Sequence, residues 1–157
     1  PKPLSRSELT ELYSTLVKDY GLFGLEDPLE QEDWAGWSEL SRVLPPSVMI
    51  IGDDLITTNA KRLQKAIDNK SCNAVIVKPN QIGTVTETIE LMRLATTSNI
   101  TTIASHRSGE TNDYFIADFA VGMGANYAKF GAPDRGERVA KYNRLLEIES
   151  YLTSQKS

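Results

Sequence analysis

Lys78 closes the apolar run Ala74-Val75-Ile76-Val77 and opens a polar block, Pro79-Asn80-Gln81-Ile82-Gly83-Thr84. A lysine set between Val77 and Pro79 at a strand end is expected to be partly desolvated, which lowers its pKa and makes a neutral amine accessible. Such an amine can remove a weakly acidic proton alpha to a carboxylate, provided the enediolate is stabilised. The residue has an ordinary reading too, an exposed lysine snorkelling from its strand. A second block, Ser105-His106-Arg107-Ser108-Gly109-Glu110-Thr111, follows the run Ile100-Thr101-Thr102-Ile103-Ala104. Arg107 offers a planar fork of donors that fits phosphate oxygens, and Ser108 adds a hydroxyl. Arg107 could also be a buried salt-bridge partner of Glu110 or Asp113. His106 is the only histidine in the chain and reads as pocket-lining rather than as a general base.

Two carboxylates stand at comparable places. Glu26, in Glu26-Asp27-Pro28, and Asp53, in Gly52-Asp53-Asp54, each follow a short apolar run. Facing one mouth, they would suit Mg²⁺, a hard cation that takes carboxylate and phosphate oxygens and keeps several waters. They would equally suit solvated carboxylates or helix caps.

The elements that position these residues alternate regularly. Ser5 and Glu8 have capping-box spacing, and Leu9, Leu12, Tyr13, Leu16 and Val17 mark one helical face that Gly21 ends. Leu22-Phe23-Gly24-Leu25 predicts a short buried strand. A helix with Trp34, Trp37 and Leu40 stops before Pro45-Pro46. Val48-Met49-Ile50-Ile51 is the second strand, Leu63, Ala66 and Ile67 mark a helix, and the Ala74–Val77 strand follows. A helix through Val85, Ile89 and Met92 leads to the strand Ile100–Ala104. A helix through Tyr114–Val121, with its start near Thr111-Asn112, precedes a shorter strand, Asn126–Phe130. The last helix runs from about Arg135 to Tyr151, and its Arg, Glu and Lys residues read as an exposed, salt-bridged start. Strands of this kind between helices predict an α/β fold with a parallel sheet and outer helices. Polar groups after successive strands match a barrel, whose active sites gather at the C-terminal strand ends. A doubly wound sheet competes, but no G-x-G-x-x-G follows a strand.

Composition narrows the classes. A chain of 157 residues with 40% hydrophobic and 24% charged residues is that of a globular domain, not a disordered one. A net charge of −4 gives no electrostatic reason to expect nucleic acid. The single Cys72 cannot form an internal disulfide and fits a reducing compartment. No apolar run approaches transmembrane length, and Pro1-Lys2-Pro3-Leu4 does not read as a signal peptide.

Taken in order, Glu26-Asp27-Pro28, Gly52-Asp53-Asp54, Lys78 to Thr84, Ser105 to Thr111 and Lys129-Phe130-Gly131-Ala132-Pro133 resemble the C-terminal part of enolase, from about Leu9 to Tyr151. The resemblance implies the C-terminal portion of an enolase-type (β/α)8 barrel over residues 1–157, with an N-terminal domain and the first barrel strands lying outside the chain. It implies reversible dehydration of 2-phosphoglycerate to phosphoenolpyruvate with Mg²⁺, a cytoplasmic location and a homo-oligomer at full length. Lys78 matches the proton-accepting lysine, and lysine with Mg²⁺ is a pairing already established for enolase-type sites. Glu26 and Asp53 match magnesium ligands, with Asp27 and Asp54 as supports that orient loops or Lys129. Arg107 and Ser108 match residues that hold the substrate phosphate, His106 lines the same pocket, and Lys129 matches the lysine that contacts the substrate carboxylate. Phe130 stands where threonine is common, which is expected to reshape the pocket wall. The glutamate acid and a third magnesium-ligating aspartate of enolases have no counterpart in these residues. A non-catalytic enolase-fold protein acting through its surface is the alternative.

Overall fold

The computed structural model describes residues 3–155, so Pro1 and Lys2 of the N-terminal stretch Pro1-Lys2-Pro3-Leu4 lie outside the described residues. The chain forms two compact units, residues 1–101 and 102–157.

The first unit carries α1 (Arg6–Tyr20), β1 (Gly24–Glu26), α2 (Trp34–Val43), β2 (Met49–Gly52), α3 (Ala60–Asn69), β3 (Ala74–Val77), α4 (Pro79–Ile82) and α5 (Val85–Thr97). The capping box forms as the sequence predicts: the Ser5 hydroxyl accepts from the Glu8 amide while the Glu8 carboxylate accepts from the Ser5 amide, and Gly21 closes α1 in the left-handed region. Strands β1 and β2 pair in parallel with Leu25 opposite Ile50, and β2 pairs in parallel with β3 with Ile51 opposite Ala74. All four residues of β3 are buried, as befits a parallel strand covered on both faces. Trp37, Leu40, Leu55, Ile56, Leu63, Val75, Ile76, Leu91 and Met92 fill the core of this unit. Strand β1 departs from expectation. It is not buried, and Phe23 before it is 69% exposed. Among the described residues it is the edge strand of the sheet, paired on one side only, with β2.

A further strand, β4 (Thr101–Ser105), begins on the last residue of the first unit, where the Thr101 amide donates to the Asn73 carbonyl at 3.0 Å. The second unit continues with α6 (Phe115–Gly122), β5 (Tyr127–Lys129) and α7 (Gly136–Ser154). Strands β4 and β5 are parallel, with Ile103 opposite Tyr127 and Ser105 opposite Lys129. Helix α6 begins at Phe115 rather than near Thr111-Asn112. The intervening amides of Asp113 and Phe115 donate to the Thr111 hydroxyl and the Asp113 carboxylate, local turns that compete with helix.

Two asparagines fix the strand starts. Asn73, one residue before β3, accepts the Ile50 amide on its side-chain oxygen at 2.7 Å and donates to the Val48 carbonyl at 3.0 Å. Asn126, one residue before β5, accepts the Thr102 amide at 2.9 Å in the same way. No described helix is long and apolar enough to cross a membrane.

Candidate active site

In the first unit the sequence-predicted carboxylates meet. Glu26 ends β1, Asp53 follows β2, and these two with Asp27 present oxygens that all lie within 4.8 Å of one another. Asp27 has a different task from its neighbours. Its Oδ1 accepts the Asp53 amide at 2.9 Å and its Oδ2 accepts the Asp54 amide at 3.0 Å, so both oxygens hold the turn that presents Asp53. This is the loop-orienting role the sequence predicts for it. Burial raises the Asp27 carboxyl above its ordinary value; the two amides oppose the rise, and the Asp53 and Asp54 carboxylates add to it.

Asp53 is 8% exposed, and its Oδ2 accepts from the Lys78 ammonium. Its Oδ1 is buried without a hydrogen-bond partner. A buried carboxylate oxygen is costly unless something pairs with it. That orphaned oxygen, set among further carboxylate oxygens, fits a hard divalent cation, and Glu26 and Asp53 are the residues that would hold it.

Lys78 is 15% exposed, so the exposed-lysine reading does not hold. The ammonium faces a carboxylate rather than an apolar pocket. Its backbone is fixed from an unanticipated side. The Lys78 amide donates to the Thr58 hydroxyl at 2.9 Å, and that hydroxyl donates to Gln81 Oε1 at 2.7 Å. Thr58 is fully buried, and both Thr57 and Thr58 hold positive φ, 51° and 54°. Threonine rarely adopts this conformation, so the surrounding contacts hold it there. Lys78 is also the N-cap of the one-turn α4, which Pro79 starts and Gly83 ends at φ 105°.

In the second unit, β4 ends at Ser105 and the His106 amide donates to the Lys129 carbonyl at 3.2 Å, which sets His106 beside the end of β5. Arg107 and Ser108 are exposed on the loop that follows. The Arg107 amide donates to Glu110 Oε1 at 2.8 Å, a backbone contact distinct from a buried salt bridge of its guanidinium. Burial holds the His106 imidazole below its ordinary value of 6.5; Glu110 opposes this, while Lys141, Arg138 and Lys129 reinforce it. Its Nδ1 is buried without a hydrogen-bond partner. Gly131, at φ 74°, leaves no room for a side chain: a Cβ would lie 2.9 Å from Arg138 and 3.2 Å from the imidazole. Phe130 is buried and meets Tyr142 edge-on, with ring centroids 6.0 Å apart, so it belongs to the packing behind the β5 end.

The start of α7 corrects the sequence reading. Lys141 is not on an exposed face; it is fully buried, and its Nζ contacts Glu110 Oε2 at 2.8 Å. It also donates to the carbonyls of Thr111, Asp113 and Glu137. Thr58, Gln81 and Lys141 were invisible as site supports because their partners are distant in sequence. A mid-helix lysine in a charged stretch gives no local sign of burial.

Parallel strands that alternate with helices and place carboxylates, lysines and an arginine just past their C-terminal ends define an α/β protein of the barrel-enzyme class. The match is specific. Residues 1–157 fit the model for the enolase C-terminal TIM barrel domain. The chain is 52% identical over 146 residues to Enolase 1 of Methylococcus capsulatus, which covers 93% of this chain and 35% of the relative. It is 46% identical over 156 residues to the enolase of Elusimicrobium minutum, covering 99% of this chain and 37% of the relative. The chain belongs to the enolase family, and its fold is part of the enolase barrel. It spans about a third of the length of these curated relatives.

Proposed function

We propose that this chain supplies the base and the substrate-phosphate contacts of an enolase, for the reversible Mg²⁺-dependent dehydration of 2-phosphoglycerate to phosphoenolpyruvate. The observation that carries the reading is the Lys78–Asp53 pair, at the ends of neighbouring strands and beside Glu26 and Asp27, in a chain of the enolase family.

Lys78, once it has released a proton and is a neutral amine, takes the C2 proton and becomes an ammonium again. Its backbone is held at the end of the buried strand β3 by Thr58, and its amine end is held by Asp53. Pairing with Asp53 aims that amine and limits its rotamers before substrate arrives, so less orientation entropy is lost at the reactive step. Glu26 and Asp53 would hold Mg²⁺, while Asp27 keeps the Asp53 turn in place. When bound, the cation supplies positive charge that stabilises the enediolate formed as the proton leaves. Arg107 and Ser108 hold the substrate phosphate, by a planar donor fork and a hydroxyl, and His106 lines the pocket. A neutral imidazole, favoured by its burial, gives one donor and one acceptor there without adding charge. Lys129 contacts the substrate carboxylate, where a cation favours the more negative transition state over the ground state. The acid that assists loss of the C3 hydroxyl lies outside this residue set.

The test is phosphoenolpyruvate formation from 2-phosphoglycerate with Mg²⁺, for residues 1–157 alone and for the full-length protein. Turnover by the full-length protein that Lys78→Ala abolishes supports the reading. Turnover unaffected by Lys78→Ala, or none at all, moves the weight to a binding protein with an enolase fold.

A further inference from the structure

We propose that Lys141 is a positioning residue for the anion-binding loop, acting through Glu110 to fix the backbone of Arg107. The inference rests on the reading of Arg107 and Ser108 as phosphate ligands.

Glu110 faces two ways. Its Oε1 accepts the Arg107 amide at 2.8 Å, and its Oε2 meets Lys141 Nζ at 2.8 Å. The same ammonium donates to the Thr111 carbonyl at 3.1 Å and the Asp113 carbonyl at 2.9 Å, both in the loop, and to the Glu137 carbonyl at 2.7 Å in α7. One buried cation therefore gathers the loop from Arg107 to Asp113 and ties it to the first turns of α7. The middle of α7 is anchored separately, by Arg144 on Asp118 of α6 at 2.7 Å. The loop cannot shift without breaking the Lys141 set.

Filling space does not explain this residue. Removing an ammonium from water is costly, and an apolar side chain of the same length would pack at lower cost. What an apolar chain cannot do is collect a carboxylate and three carbonyls. The local amides point the same way: those of Arg107, Asp113 and Phe115 are taken by the side chains of Glu110, Thr111 and Asp113. The loop conformation thus depends on side chains, and Glu110 is the one that Lys141 holds. Burial alone would raise the Glu110 carboxyl, but Lys141 and the Arg107 amide outweigh it and keep it below its ordinary value, so it stays a carboxylate. Such outer partners commonly set ligand geometry without touching the ligand.

The experiment compares Lys141→Met, Glu110→Ala and Glu110→Gln in the full-length protein, with Ile116→Val in α6 as a destabilised control. It reads KM and kcat for 2-phosphoglycerate, and hydrogen exchange at the Arg107 amide. Lys141→Met and Glu110→Ala are expected to raise KM roughly tenfold with kcat little changed, and to speed exchange at Arg107. Glu110→Gln should recover only part of the KM, because its amide oxygen still accepts the Arg107 N–H while its NH2 cannot pair with the Lys141 ammonium. Should Lys141→Met fail to fold, the two Glu110 variants, at a partly exposed side chain, decide the matter. KM and Arg107 exchange that move no more than in Ile116→Val would overturn the proposal, as would a loss confined to kcat. A wild-type protein silent on 2-phosphoglycerate would instead defeat the enolase reading. Exchange at Arg107 would then decide for or against the positioning role by itself.

Discussion

Thr58 and Lys78 are joined by a 2.9 Å hydrogen bond from the lysine amide to a threonine hydroxyl that is itself fully buried. The hydroxyl in turn donates a hydrogen bond to Gln81 Oε1, so Lys78 and Gln81, at the two ends of this short segment, converge on one atom. Thr58→Val keeps the shape and removes both bonds, leaving a buried amide unpaired at a cost of about 1–3 kcal/mol. We expect the urea midpoint to fall accordingly and kcat for 2-phosphoglycerate to drop further than KM rises. Thr58→Ser should restore both. Equal kcat in Thr58→Val and wild type would remove Thr58 from the site.

Replacing Lys78 by alanine is expected to lower exchange of the C2 proton with solvent by at least ~100-fold, the usual span for a positioned base. Binding of phosphoenolpyruvate, measured by calorimetry, should persist, since the proposed phosphate ligands are Arg107 and Ser108. Retained C2 exchange would transfer the base to another residue.

Mg²⁺ should stabilise the folded chain, because the orphaned Asp53 oxygen and its carboxylate neighbours exist only in the native state. Millimolar Mg²⁺ is predicted to raise the thermal midpoint, and chelation to reverse the rise. Asp53→Asn and Glu26→Gln should each abolish the shift. A midpoint that rises equally in wild type and Asp53→Asn would place the ion elsewhere.

Acid should weaken the second unit in two stages. The His106 value is depressed in the folded state, chiefly by burial, so its contribution is complete above the ordinary value of 6.5 and is lost as pH falls through the lower folded value. Glu110 is likewise depressed, Lys141 and the Arg107 amide outweighing burial, so its contribution is complete above 4.5 and is lost further into acid. In both cases the unfolded chain binds the proton first. Urea midpoints measured from neutral to acid pH should fall in both windows, with Glu110→Gln flattening the lower one. A midpoint that rises on acidification would contradict both assignments.

Cys72 is buried, and its thiol is pushed up to about 12, first by burial. The thiolate is the reactive form, so a disulfide reagent at pH 8 should leave the native protein unmodified and react once urea unfolds it. Rapid labelling of the folded chain would show that the Ser71–Asn73 turn opens readily.

Much of this molecule could be read before its coordinates. Val77 to Lys78 and Ala104 to Ser105 mark strand ends because a run of buried apolar residues stops abruptly at a polar one. Ser5, Glu8 and Gly21 mark α1 because caps act within a few residues. What escaped depends on distance along the chain. The one-turn α4 is too short to show a period. Lys141 looks solvated because the carbonyls that bury it come from a loop some 30 residues earlier. Thr58 looks like the polar residue before a helix, yet its partners are at Lys78 and Gln81.

The asparagines before β3 and β5 have a consequence for change over time. Each side-chain amide mimics the backbone of a missing ladder residue, and so pins its strand at the N-terminal end. A parallel strand that slips by one residue turns every side chain to the opposite face. With the alignment secured at that end, the opposite ends need not contribute to it. Substitutions at Lys78 or Lys129 can then change the chemistry at the strand ends while the strands stay in place. The framework and its chemistry are free to evolve at separate rates.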